Sequence, residues 1–383
     1  MRSFVSLSPA RAVVAAVLLL AVPACAGADA LPTVPAGFTI EVIAHIRAAR
    51  ELAAAPNGDL LVGTNSRNVF LVPDAEGSAG APRVFAVMPD EDAAGVALGD
   101  GALFVGTHSG VWRIPYAAGD RQASAAARQL AAVRTQGGGG HSTTSVAVGS
   151  DRLYVSVGSS CNACTESDPT RATIQELPLS GGALRPKAVR IRNAIALAID
   201  PATGALWAGV AGQDELEHGH PYEIFDDVSA HGGVVDYGWP VCYEDHVAAR
   251  AGADCANVAI SRVVFPAYET PIGATFYPLG GAGAHAFPPQ YRGGAFVTLH
   301  GSWHVPLVAP RVVFVPLRED EPLKPVDWND PNVQWQSFLD GFQTSFGWRI
   351  GRPTGVAVGP GGSLFVADDA AGVIYRIRPS GPS

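Results

Sequence analysis

Short runs of alternating apolar and small residues recur six times along the chain, each broken at a turn and resumed as a second apolar run. The first extends from Ala53 to Gly63 and turns on Pro56-Asn57-Gly58-Asp59. The second extends from Gly95 to Gly106, the third from Ser145 to Val155, and the fourth from Ile195 to Ala208. A looser fifth copy spans Ile272 to Val297, and the last runs from Gly355 to Val366. Alternation at the strand period, with Gly, Asn or Asp at the turn, predicts β-hairpins. Spacings of about 40 to 50 residues, stretched to about 80 around the fifth copy, match propeller blades carrying loop insertions. The pattern therefore predicts an all-β, six-bladed β-propeller over residues 34–379, closed by strands from both ends of the chain. Closure leaves no free sheet edge. The pocket of such a fold lies on its axis, so function is to be sought in the loops that break the repeat.

Composition narrows the classes. The chain has 383 residues, 48% hydrophobic and 16% charged, which is ample for a large core. A net charge of −9 argues against a nucleic-acid partner, whose recognition needs a basic face. Lys187 and Lys324 are the two lysines, which weighs against Schiff-base chemistry.

Residues 1–28 read as a secretory signal, with Arg2 and Arg11, an apolar run from Ala12 to Val22, and then small residues. The run is too short for a stable membrane span. Val22-Pro23-Ala24-Cys25 resembles a bacterial lipobox, which would leave Cys25 lipidated and the protein anchored to a membrane. Ala26-Gly27-Ala28 suits ordinary cleavage instead. Either route exports the protein, to the periplasm or beyond, as a soluble protein or an outer-membrane lipoprotein. Four cysteines then remain, and in an oxidising compartment they read as two local disulfides, Cys161–Cys164 and Cys242–Cys255. A four-cysteine zinc site is the alternative, which export disfavours.

The loops carry the chemistry. Gly137 to Gly140 precede His141; they lack the Lys-Ser/Thr of a phosphate loop but let backbone crowd a ligand. His141 then opens the third repeat, as a base aimed at the axis or as a turn histidine bonded to backbone. Arg192-Asn193 opens the fourth, offering a guanidinium fork and an amide to a planar or carboxylate-bearing ligand, or forming an ordinary turn. Gly212-Gln213-Asp214-Glu215 crowds carbonyls and carboxylates, which favours a hard cation such as calcium over a merely solvated acidic loop. His300-Gly301-Ser302-Trp303-His304 with Arg311, and Trp348-Arg349-Ile350-Gly351-Arg352, bring rings and guanidinium groups to the same relative place in later blades.

Together these residues resemble the soluble quinoprotein sugar dehydrogenases of the glucose/sorbosone dehydrogenase family, and most closely its sorbosone dehydrogenase-like branch. The resemblance covers residues 38–378. It rests on Gly158-Ser159-Ser160-Cys161-Asn162-Ala163-Cys164, Asp168-Pro169-Thr170-Arg171-Ala172-Thr173-Ile174, Arg192-Asn193-Ala194-Ile195, Tyr237-Gly238-Trp239-Pro240, Tyr291-Arg292-Gly293, His300-Gly301-Ser302-Trp303 and Gly351-Arg352-Pro353. It implies a propeller holding pyrroloquinoline quinone and calcium. It also implies His141 as the base that takes the substrate hydroxyl proton while hydride passes to the quinone. Arg192, Asn193, Trp303, Arg311, Arg349 and Arg352 would bind the quinone, and main-chain carbonyls of Gly212 and Gln213 the calcium. The chain departs from the glucose enzymes at Ser159, where they have an aspartate. It departs again at Asp92 to Gly95, at His304-Val305 after Gly-Ser-Trp, and at Arg311 in place of a lysine.

The leading expectation is an exported quinoprotein oxidoreductase that oxidises a sugar aldehyde or an aldose hydroxyl and passes electrons to an unidentified acceptor. His300 and His304 stand behind His141 as alternative bases. A non-catalytic propeller that binds a ligand or partner is the alternative, and a calcium-dependent lactonase-type propeller is a third reading.

Overall fold

The computed structural model describes residues 31–135, 140–216, 219–281, 283–302 and 308–381. They form six antiparallel sheets of four core strands each, blades 1 to 6 in chain order. Their innermost strands are Ala49–Ala54, Gly95–Gly99, Val146–Val148, Ala194–Ile199, Pro271–Phe276 and Pro353–Val358. These six contact one another in order around a ring, the first meeting the last. Each is rich in Ala, Val and Gly, small enough to converge on an axis. The predicted hairpins are all present.

Closure is as expected. Blade 6 takes its outermost strand from the N-terminal side, where Phe38–His45 pairs antiparallel with Val373–Pro379. Phe38 seals the join, its ring 4.7 Å from Phe287 and 5.1 Å from Phe338 in an aromatic cluster with Tyr291, Phe296 and Phe314. The Tyr291-Arg292-Gly293 stretch thus serves the core between blades 5 and 6. Among the described residues no helix is long and apolar enough to cross a membrane.

Insertions account for the wide spacing of the later repeats. In blade 4, residues 228–262 add a hairpin of Cys242–Tyr243 and Val247–Ala248, closed by the Cys242–Cys255 disulfide. The same insertion lends Val235–Asp236 to blade 3 as a fifth, parallel strand. The second disulfide joins Cys161 to Cys164 as predicted, within the loop after the second strand of blade 3.

Candidate active site

All six blades place polar residues at or just before the start of the innermost strand. Blade 1 gives Arg50 and Glu51, blade 2 Asp92, blade 3 His141, blade 4 Arg192 and Asn193, blade 5 Glu269, and blade 6 Arg352. Blade 3 departs slightly from expectation. Its inner strand begins only at Val146, so His141 stands on an extended approach five residues earlier rather than on the strand itself.

His141 is held by its own loop partner. Its amide donates to Ser159 O at 2.9 Å, and its Nδ1 lies 2.9 Å from Ser159 Oγ. The Ser159 hydroxyl in turn donates to Cys161 O at 2.7 Å. Arg171, from the Asp-Pro-x-Arg stretch, ties both segments together by donating to His141 O at 3.2 Å and Ser159 O at 2.7 Å. Glycine is required on either side. A Cβ on Gly140 would meet Ser160 backbone at 2.5 Å, and one on Gly158 would meet both His141 Cβ and Asn193 Oδ1 at 2.6 Å. Gly158 is therefore the gap that lets the histidine of blade 3 and the asparagine of blade 4 close on one another. Burial, and next the Arg192 guanidinium, push the His141 imidazole down to about 4. It is neutral at physiological pH.

Arg192 is 4% exposed and fully engaged. It donates from Nε to Asn162 O at 3.0 Å, from Nη2 to Asn162 Oδ1 at 2.8 Å and to Asp214 Oδ2 at 3.2 Å, and from Nη1 to Ala211 O at 3.2 Å. Asn162 sits between the two disulfide-bonded cysteines and was not singled out as a site residue by the sequence. Its amide also donates to Asp214 O at 2.9 Å, and its carbonyl accepts the Trp239 indole at 3.2 Å. The disulfide loop, Arg192, the Gly212–Asp214 loop and the Trp239 of Tyr-Gly-Trp-Pro are one assembly centred on this asparagine. Gly212 is fixed within it by its amide, 2.6 Å from Glu223 Oε2, while Glu223 Oε1 accepts from Tyr268 N at 3.0 Å.

A second group of cations gathers where blades 5, 6 and 1 meet. Arg352 Nη2 donates to His300 Nδ1 at 2.7 Å, and His300 Nε2 lies 3.2 Å from both Asp369 oxygens. Arg50 reaches Asp369 Oδ2 at 3.2 Å. A guanidinium only donates, so His300 Nδ1 is an acceptor and its proton resides on Nε2, facing Asp369. His300 thus has no lone pair left for a substrate and drops out as a base. Arg349 joins this group electrostatically; one of its amino groups donates to Val308 O at 3.2 Å, and its buried Nε has no partner.

Arg311 bonds to neither of these two groups. It pairs with Glu269 Oε1 at 3.3 Å and lies 5.7 Å over the Trp335 ring, at the head of the third strand of blade 5. Trp303, His304 and Cys25 lie outside the described residues.

The family model described as TrAA12-like matches residues 32–228 and 232–380. The chain belongs to the TrAA12-like family. Among solved structures, the calcium structure of the Trichoderma reesei carbohydrate-active enzyme of family AA12 superposes with a TM-score of 0.75 at 20% identity, covering 91% of this chain and 97% of that one. The holo pyranose dehydrogenase PQQ domain of Coprinopsis cinerea gives 0.78 at 19%, covering 91% and 97%. The PQQ-bound aldose sugar dehydrogenase of Streptomyces coelicolor gives 0.60 at 17%, covering 90% and 99%. No curated protein matches the sequence. These identities speak to the fold, and the resemblance to soluble quinoprotein dehydrogenases drawn from the loops agrees with it.

Proposed function

We propose that this member of the TrAA12-like family is an exported sugar oxidoreductase that works with pyrroloquinoline quinone and calcium. The observation that carries the reading is a neutral His141 whose Nε2 has no partner among the described residues, together with a second group of guanidinium groups at the mouths of blades 5, 6 and 1. Arg50 and Arg352 share the Asp369 carboxylate, and Arg349, which bears on Arg352, keeps a buried, unpartnered Nε. Buried guanidinium groups short of counter-charge suit a planar polycarboxylate, which they meet by charge-assisted, two-pronged hydrogen bonds. A neutral-sugar binder has no use for them.

Arg192, Asn193, Arg349 and Arg352, with Trp303 as a sequence-derived member, would hold the quinone, while Arg311, expected from the sequence to join them, is taken up by Glu269 and Trp335. Main-chain carbonyls of Gly212 and Gln213 would hold calcium, a hard cation served by such oxygens. When bound, the quinone supplies a hydride acceptor and the cation polarises it. The chain's own part is the proton. His141 Nε2 takes it from the substrate hydroxyl, while Ser159 keeps the Nδ1 tautomer fixed and Arg171 keeps the loop in place. A sugar aldehyde hydrate or an aldose is the substrate class we favour.

The test is calorimetry of purified apo-protein with pyrroloquinoline quinone, with and without calcium, followed by dye reduction over a panel of aldoses and sugar aldehydes. Calcium-dependent binding with turnover supports the reading. Absence of quinone binding overturns it, and binding without turnover favours the non-catalytic module.

A further inference from the structure

Glu51 is the one ionisable side chain among the residues that line the axial cavity beneath the site. The cavity has a volume of about 250 Å³, and the rest of its wall is Leu52 to Ala54, Val96 to Leu98, Val146 to Val148, Leu197 to Ile199, Ala274-Thr275 and Val356 to Val358. Glu51 stands at the site end of the blade 1 inner strand. Its neighbour Arg50 belongs to the Asp369–His300–Arg352 group above, and Leu52 to Ala54 continue down the cavity. Across the axis, Ser145 Oγ of blade 3 lies 2.8 Å from Glu51 Oε1, so the pair forms a floor between the site and the cavity.

That cavity is wettable although its side chains are apolar. The innermost strand of every blade is a sheet edge; neighbouring blades engage some of its groups at the site end, as Ala94 O does Glu51 N, and the N–H and C=O groups left over farther down face the axis. About 250 Å³ is open to water, against the roughly 10–15 Å³ that one water molecule needs. A file of waters held by backbone groups therefore fits. Burial, opposed by Ser145 and Arg50, raises the Glu51 carboxyl to about 7. The other five blades line the cavity with Val, Ala, Leu, Ile and Thr and meet the carboxylate with Ser145, so among the described residues Arg50 is the one charged group that bears on it.

We propose that Glu51 is the proton outlet of the site, taking up a proton released at the site face and handing it to water in the axial cavity. The need follows from the proposed function, on which this inference rests. Oxidising a hydroxyl to a carbonyl breaks one C–H and one O–H bond. When an external electron acceptor then removes two electrons, two protons must leave. His141, neutral and 2.9 Å from Ser159, can accept the first of them, but each turnover requires that they reach solvent. A carboxyl poised between site and water file can do this without exchange through an occupied substrate mouth.

The experiment uses Glu51→Gln and Glu51→Asp in the full chain. In apo-protein, infrared difference titration should show one carboxyl, present in wild type and absent in Glu51→Gln, that is still protonated well above the usual carboxylate range. In quinone-loaded protein, Glu51→Gln should bind quinone and sugar as wild type and be reduced by sugar at a similar rate. Stopped-flow proton release during reoxidation, followed with a pH-indicator dye, should slow about a hundredfold, the low end of a general acid–base contribution. Glu51→Asp should restore most of that rate. Unchanged proton release in a quinone-binding, sugar-reducible Glu51→Gln overturns the outlet alone, as does a Glu51 carboxyl that titrates in the ordinary range. Failure of wild-type protein to bind quinone overturns the functional reading with it.

Discussion

Ser159 Oγ accepts a hydrogen bond from His141 Nδ1 at 2.9 Å, because its single proton is already donated to Cys161 O at 2.7 Å. The direction of that bond decides which imidazole nitrogen is basic. A hydroxyl has one proton to give, so Nδ1 must carry its own, and Nε2 keeps its lone pair. Ser159→Ala removes the constraint, and the expected result is a loss of turnover of about tenfold with quinone affinity retained. Ser159→Asp should raise the His141 pKa, since a carboxylate favours the imidazolium. Imidazole NMR titration checks the second point; an unmoved or lowered pKa contradicts it.

Replacing His141 itself tests the base. His141→Ala is expected to lower turnover about a hundred- to ten-thousandfold while quinone and calcium still bind. Near-full activity, or loss of cofactor together with activity, would show that the proton acceptor is another group.

The same histidine should leave a mark on stability. His141 and His300 sit at about 4 in the fold, against 6.5 when unperturbed. Between those values the unfolded chain binds more protons than the native one, so stability falls as pH drops from 6.5 toward 4. Glu51, Glu223 and Glu269, raised to about 7, act in the opposite sense, losing stability as pH rises from 4.5 to 7. His141→Gln cannot take up the proton, and should therefore lose less stability than wild type between pH 6.5 and 4.5. Urea denaturation at the two values decides the matter.

Arginine substitutions should divide by location. Arg352→Ala removes a charge-assisted donor from the cationic group, and a bond of that kind is worth about 1.5–3 kcal/mol. Quinone affinity should fall about 10- to 150-fold, with the apo-protein still folded. Arg311→Ala should behave differently, because it strands the buried Glu269 carboxylate, whose Oε2 already has no partner. Its main effect is expected on melting temperature, read by calorimetry, rather than on quinone affinity.

Asn162→Ala should weaken quinone binding although the residue carries no charge. Its carbonyl and amide oxygens hold Arg192, and its side chain holds Asp214 from both sides, with Asp214 N donating at 2.8 Å. Releasing the guanidinium and the Gly212–Asp214 loop together should cost affinity for quinone and for calcium. Unchanged binding of both by calorimetry would show that the clamp is purely structural.

The chain's own sequence determined the propeller and its blade order. Hairpin alternation and turn residues are local properties, and a six-fold repeat of them leaves little choice of architecture. It also indicated that His141 and Arg192-Asn193 precede the inner strands of successive blades, although the strand after His141 begins only at Val146 and that after Asn193 at once, at Ala194. Both disulfides were legible, each being closed within one insertion. Only the tertiary structure decided the partnerships. Asn162 gained its role from Arg192, 30 residues away, and Asp369 from Arg50, 319 residues away. Arg311 met Glu269 and Trp335, and His300 had its lone pair taken by Arg352. Glu51, one polar residue in an apolar strand, became a site feature only when closure of the ring set it across the axis from Ser145. Strand periodicity fixes which way a side chain points along one blade, whereas a hydrogen bond or a desolvated charge depends on what a distant blade brings to meet it.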